Sequence, residues 1–136
     1  MARTCSSHRR RPAGPVRGPE DALAALLAAT DRGRSPCVAV GAVDGHRRPV
    51  ALIVVDGAAG RDLPTVVDVV LEGTAGVTAA VFVAASGPGV EAPDEGLFAA
   101  VEGVCGRAGV TLLEWFVPVG RLWLAVGEAR GRPSAW

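Results

Sequence analysis

Four short apolar runs recur along the chain, at residues 37–43, 49–55, 77–85 and 110–117, with helix-like patterns between them. Val, Ala, Leu and Ile dominate these runs, and almost nothing polar alternates with them. A strand wet on one face alternates polar and apolar residues, so near-continuous runs predict strands covered on both faces. That pattern restricts the fold to a sheet between helical layers. No apolar run reaches the roughly 18 residues that a membrane helix requires. At 136 residues the chain fits one domain, and an apolar content of 49 % excludes a wholly disordered polymer.

The segments between the runs carry their own punctuation. Pro19-Glu20-Asp21 opens a helix, with proline in the first turn and acids at the positive end of the dipole. Leu23, Leu26 and Leu27 give that helix one apolar face, and Gly33 stands where a C-terminal cap belongs. Asp44-Gly45 signals a hairpin between 37–43 and 49–55, and Asp56-Gly57 closes the second strand. Residues 58–62 form a short loop. Leu63 to Leu71 has β-branched propensity but helical spacing, through Leu63, Val66, Val67, Val70 and Leu71. With Asp62 as cap and Pro64 in the first turn, helix is preferred. Val77–Ala85 reads as a buried strand. Asp94–Ala108 reads as a helix with Leu97, Phe98, Val101, Val104 and Cys105 on its apolar face. Two strands follow, Val110–Val117 and Arg121–Val126. The order is α-β-β-α-β-α-β-β, a three-layer α/β sandwich with a mixed central sheet.

Charge divides the chain unevenly. Residues 1–19 hold five arginines and no acid, whereas 20–136 hold nine arginines against fourteen acids, a net of −5. Residues 1–18 have almost no large apolar group and are expected to be a disordered basic tail, whose arginines could bind nucleic acid weakly and salt-sensitively. A single domain is expected over 19–128, with a polar tail at 129–136. Lysine is absent, which with the abundance of Ala, Gly, Val and Arg fits codon bias in a GC-rich genome. The three cysteines, Cys5, Cys37 and Cys105, form no C-x-x-C pair, so neither a zinc knuckle nor a redox motif is present. The basic start is not followed by an apolar h-region, so a secretory signal is not expected and the cytoplasm is the default location.

Several strings resemble the RadC-type branch of the JAB/MPN metalloprotease family, whose fold is of the cytidine-deaminase-like type. Gly18-Pro19-Glu20-Asp21-Ala22 is similar to that family's Ser-Pro-Glu-Asp-Ala helix start. Ser86-Gly87 matches the end of its His-x-His-Pro-Ser-Gly motif. Gly109-Val110-Thr111-Leu112-Leu113-Glu114-Trp115 resembles its Leu-Leu-Asp-His strand entry, and Gly120–Glu128 its closing Gly-x-x-x-x-Ser-x-x-Glu strand. The resemblance covers residues 18–128. It implies a zinc held by two histidines and an aspartate, with a glutamate acting as general base on the bound water. Such a ligand set leaves one zinc position open and lowers the pKa of the water there to about 7. In this sequence the two histidine positions are Phe82 and Ala84, and the motif proline is Ala85. The serine position is Ala92, the aspartate position is Glu95, and the glutamate position falls near Pro36. One carboxylate out of three ligands remains, and the base is missing. The resemblance therefore implies a non-catalytic member without metal or cofactor.

Other constellations are weaker. Ser86-Gly87-Pro88-Gly89 could cradle a small anion on backbone N–H groups, but it has no Walker lysine, and Glu91, Asp94 and Glu95 stand close by. Those three acids with His46 are the only candidates for a rearranged metal-dependent hydrolase. Cys37 and Cys105 read as buried thiols rather than nucleophiles, because no base accompanies them. Trp115 and Trp123, on consecutive strands, could meet across the pair and anchor a protein interface. The expectation is a protein-interaction or scaffolding module, with a homodimer as one form of partner.

Overall fold

The computed structural model describes residues 14–30 and 35–136. The chain runs α1 (Pro19–Ala29), β1 (Cys37–Val43), β2 (Pro49–Asp56), a 3₁₀ turn (Gly60–Asp62), α2 (Leu63–Gly73) and β3 (Ala80–Ser86). It continues through α3 (Glu95–Arg107), β4 (Thr111–Val119), β5 (Leu122–Ala125) and α4 (Val126–Ala129). The five strands form one open mixed sheet in the order β2-β1-β3-β4-β5. β3 and β4 are parallel, and the other three pairs are antiparallel.

Helices cover both faces, as the unbroken apolar runs require. On one face α2 and α3 pack against each other and against Val38, Val40, Val81, Val83, Trp115 and Val117. On the other face α1 lays Ala22 and Leu26 over Ala39, Phe82, Ala84 and Phe116. Every residue of β1 is buried. Burying a side chain the size of Val or Leu contributes about 1.5–3 kcal/mol, so these two layers dominate stability. Leu63–Gly73 is a helix despite its valines, because its apolar stripe buries Leu63, Val67, Val70 and Leu71. Asp62 does not cap α2; its Oδ2 accepts the Ala59 N–H at 2.8 Å and closes the 3₁₀ turn. Asp94 does cap α3, accepting the Leu97 N–H at 2.7 Å.

Several expectations need correcting. The tail boundary at 18 is too late: Val16 is buried and donates its N–H to the Arg47 carbonyl at 2.8 Å. Residues 1–13, and the expected helix end at residues 31–33, lie outside the described residues. The segment 129–136 is not a free polar tail, since Ala135 and Trp136 pack on the α1 face. Arg47 Nη2 donates to the Ala135 carbonyl at 2.9 Å, and the Trp136 ring lies 6.1 Å from that of Phe82. The β1–β2 turn is wider than a two-residue Asp-Gly loop. Asp44 Oδ1 accepts N–H bonds from His46 and Arg48, and Arg47 takes the left-handed conformation with φ of 62°. The Arg48 amide, above all, holds the Asp44 carboxyl below its usual range. β3 starts at Ala80 rather than Val77, because Val77 belongs to the turn that follows α2 and is exposed.

Candidate functional site

The positions that the resemblance assigns to metal ligands do not converge. Phe82 and Ala84 are two residues apart on β3, so both face the α1 layer. Neither side chain carries a donor atom. The Phe82 ring lies directly over Gly41 of β1, its cross-strand partner, where even a Cβ would sit 2.7 Å from Phe82 Cε1. The Trp136 ring is its aromatic neighbour, tilted by 37° with the centroids 6.1 Å apart. The space beside the first histidine position is thus filled by an aromatic ring.

Glu95 belongs to a different neighbourhood. It begins α3, on the opposite layer, and pairs with Arg130 at 3.2 Å and Arg132 at 3.3 Å. Arg132 also holds Glu102 at 2.6 Å and lies over the Phe98 ring, 4.2 Å from its centroid. Arg130 bonds the Pro93 carbonyl. These contacts engage Glu95 in fastening the chain after α4 to α3. Residues with that task were invisible in a segment read as a polar tail. Pro36 precedes β1, and Ala92 lies in the loop before α3. Both line a cleft of about 350 Å³ with Gly60, Ser86, Asp94 and Leu97. Pro36 offers no base there.

The sheet topology does not bring the residues of the rearranged hydrolase set together. His46 follows β1, whose Val43 end lies beside Ala80 at the start of β3. Glu91, Asp94 and Glu95 follow the Ser86 end, across the length of the sheet. Among the described residues, no three His, Cys, Asp or Glu side chains gather closely enough to hold a metal ion. Asp94 is occupied as a helix cap and Glu95 as an ion-pair partner.

The glycine loop is explained by packing. Gly87 has φ of 123°, and a Cβ there would lie 2.5 Å from Pro36 Cα. Gly89 also has positive φ, and the Val90 N–H closes the turn on the Gly87 carbonyl at 3.3 Å. Of the amides at the start of α3, that of Leu97 is already bonded to Asp94. Ser86 Oγ sits 3.1 Å from Cys37 Sγ at the adjoining strand end. Cys105 is buried on the inner face of α3, and burial together with the Glu102 charge pushes its thiol up to about 11. A thiol held in its protonated form is a poor nucleophile at neutral pH.

The two tryptophans do not meet. Trp115 is fully buried on the α2/α3 face and stacks on Phe98 at 6.0 Å, with its indole N–H lacking a partner among the described residues. Trp123 pairs with Pro118 across β4–β5 and sits on the α1 face. Trp115 is therefore a core residue and no interface anchor. Trp123 is half-buried beside exposed Leu122 and lines a cavity of about 200 Å³ with Ser86, Gly87 and Pro118.

Glu114 is the functional-looking residue that sequence reasoning passed over as a family match alone. It is a buried carboxylate in an apolar strand. β4 carries a bulge, with Val81 opposite Leu112 and Phe82 opposite Glu114, so Leu113 is the extra residue. The bulge re-aims Glu114 toward α4. Its oxygens accept the N–H groups of Trp115 at 2.9 Å, Gly127 at 2.6 Å and Glu128 at 3.2 Å. A lone acid in an otherwise apolar run was the available signal. A cleft of about 500 Å³ is lined by Glu114, Glu102, Phe98, Arg132 and Trp136.

A scan against protein-family models finds no match to this chain, and a search of curated proteins finds none either. No helix among the described residues is long and apolar enough to cross a membrane.

Proposed function

We propose that the chain is a degenerate JAB/MPN-type domain that binds proteins and performs no metal chemistry. The observation that carries this reading is Phe82. At the position where the resemblance calls for a ligand histidine, its ring packs onto Gly41 and neighbours Trp136. The remaining carboxylate, Glu95, is drawn away by Arg130 and Arg132 on the other layer. The element order and the sheet order β2-β1-β3-β4-β5 support the framework without its chemistry. Apolar sheet margins support the binding role: Leu122 is 76 % exposed and Val119 57 % exposed at one margin, and β2 is half-buried along most of its length at the other.

A thermal-melt series with added divalent metals tests this. Zinc, manganese or nickel in large excess over protein leaves the melting temperature within about 1 °C, because a ligand stabilises only the state that binds it. A saturable rise of several degrees with one metal overturns the reading.

A further inference from the structure

We infer that the outer edge of β2 pairs with β2 of a second copy of this chain, in an antiparallel two-fold arrangement that extends the sheet to ten strands. β2 ends the sheet, and eight residues long it is twice the length of β5 at the opposite edge. Its outer backbone groups are unpaired among the described residues. None of the backbone hydrogen bonds outside the helices and strands reaches Val50–Val55, and no side chain bonds to it. An edge of this kind is a template for another strand, and soluble proteins usually blunt it with charges, an internal proline or short length. β2 uses none of these between Ala51 and Val55, where every residue is apolar; its one irregularity is a bulge that leaves Val50 as the extra residue, next to the strand's start. Pro49 stands at its first position, outside the stretch that would pair.

Both faces of the edge are unfinished. Ala51, Ile53 and Val55 are half-buried against the α2/α3 core, and Leu52 against the α1 core. A strand laid alongside would extend both apolar layers at once. Charge identifies that strand as a second copy. Arg48 precedes β2 and Asp56 ends it, and both are exposed. Antiparallel self-pairing brings the Arg48 end of each strand to the Asp56 end of the other, which gives two opposite-charge contacts from one interaction. Parallel stacking would set like charges side by side. The contact is isologous and closes at two copies, so it does not propagate into a fibre.

This names a partner for the interaction module proposed above and rests on that reading. The test is sedimentation equilibrium of the full chain between about 1 µM and about 100 µM, a range that brackets ordinary dimer affinities. The wild-type chain dimerises. Arg48→Asp and Asp56→Arg each weaken the dimer roughly tenfold, and the double reversal restores it. Both sites are exposed, so the fold survives, as circular dichroism checks. Ile53→Lys, which sets a charge in the middle of the edge, gives monomer at all these concentrations. A monomeric wild-type chain overturns the pairing, and so does a dimer indifferent to both reversals. Either result leaves the metal-free reading standing, because that reading answers to metal binding alone.

Discussion

Gly41→Ala probes the packing that fills the expected ligand position. The added methyl would meet three atoms of the Phe82 ring, the farthest of them at 2.7 Å. Carbon atoms pack at about 3.5–4.0 Å, so the ring must move by roughly an ångström. Trp136 neighbours that ring, and the adjoining positions on both strands are fully buried. Overpacking of a closed core costs about 1–3 kcal/mol, and the extent of the overlap places this case at about 2–3 kcal/mol. For a chain of this size each kcal/mol lowers the melting temperature by roughly 3–5 °C, so the drop is about 6–15 °C. Urea unfolding measures the cost directly. Phe82→Leu shortens the ring and makes room for the methyl, so the double variant Gly41→Ala/Phe82→Leu recovers at least ~1 kcal/mol relative to the sum of the single changes. A Gly41→Ala cost below about 0.5 kcal/mol, or strict additivity of the pair, refutes the claim that Phe82 fills this space.

Glu114→Gln replaces an acceptor of three N–H groups, those of Trp115 and Gly127 buried, with an amide that must turn its own donor toward one of them. Stability falls by about 1–3 kcal/mol in urea unfolding, and unchanged stability would show that α4 docks without the carboxylate. Gly87→Ala forces a side chain into a left-handed residue pressed on Pro36, and the melting temperature falls by several degrees; retention of the wild-type value contradicts the packing account of the loop. Because the folded state holds the Cys105 thiol protonated up to about 11 while the unfolded chain releases that proton near 9, stability is intact below pH 9 and declines between pH 9 and 11. The chain has neither lysine nor tyrosine, so few other groups titrate in that window. Cys105→Val should flatten this part of the stability profile, and an unaltered slope would exclude Cys105 as its source.

The layered architecture was legible because β1 and β3 are buried on both faces, and continuous runs such as Cys37–Val43 report that directly. α2 was legible because helical spacing outweighed valine propensity, and α3 because Asp94 is a genuine cap. What escaped was long-range. Trp115 and Trp123 are neighbours in pattern, but the adjacent strands aim them at opposite layers. The bulge at Leu113 that redirects Glu114 has no local signature, since it exists only relative to β3. The docking of residues 130–136 escaped for the same reason. Arginines that look solvated in sequence find Glu95, Glu102 and the Phe98 ring only after α3 and α4 come together. At the candidate site, the absence of donor side chains at positions 82 and 84 was readable from the residues. The ring that replaces them, and the glycine that accommodates it, became visible only across the β1–β3 pair.

The proposed function holds that the framework of a metal-dependent hydrolase persists here without a metal site. Elemental analysis of the purified, tag-free protein tests it most directly, before and after zinc incubation and desalting. The account predicts less than about a tenth of an equivalent of zinc or any other divalent metal in both samples, since a structural or catalytic site would retain its ion through desalting. One tightly held equivalent would contradict it, and would mean that donor atoms other than those placed at residues 82, 84 and 95 build a centre in this fold.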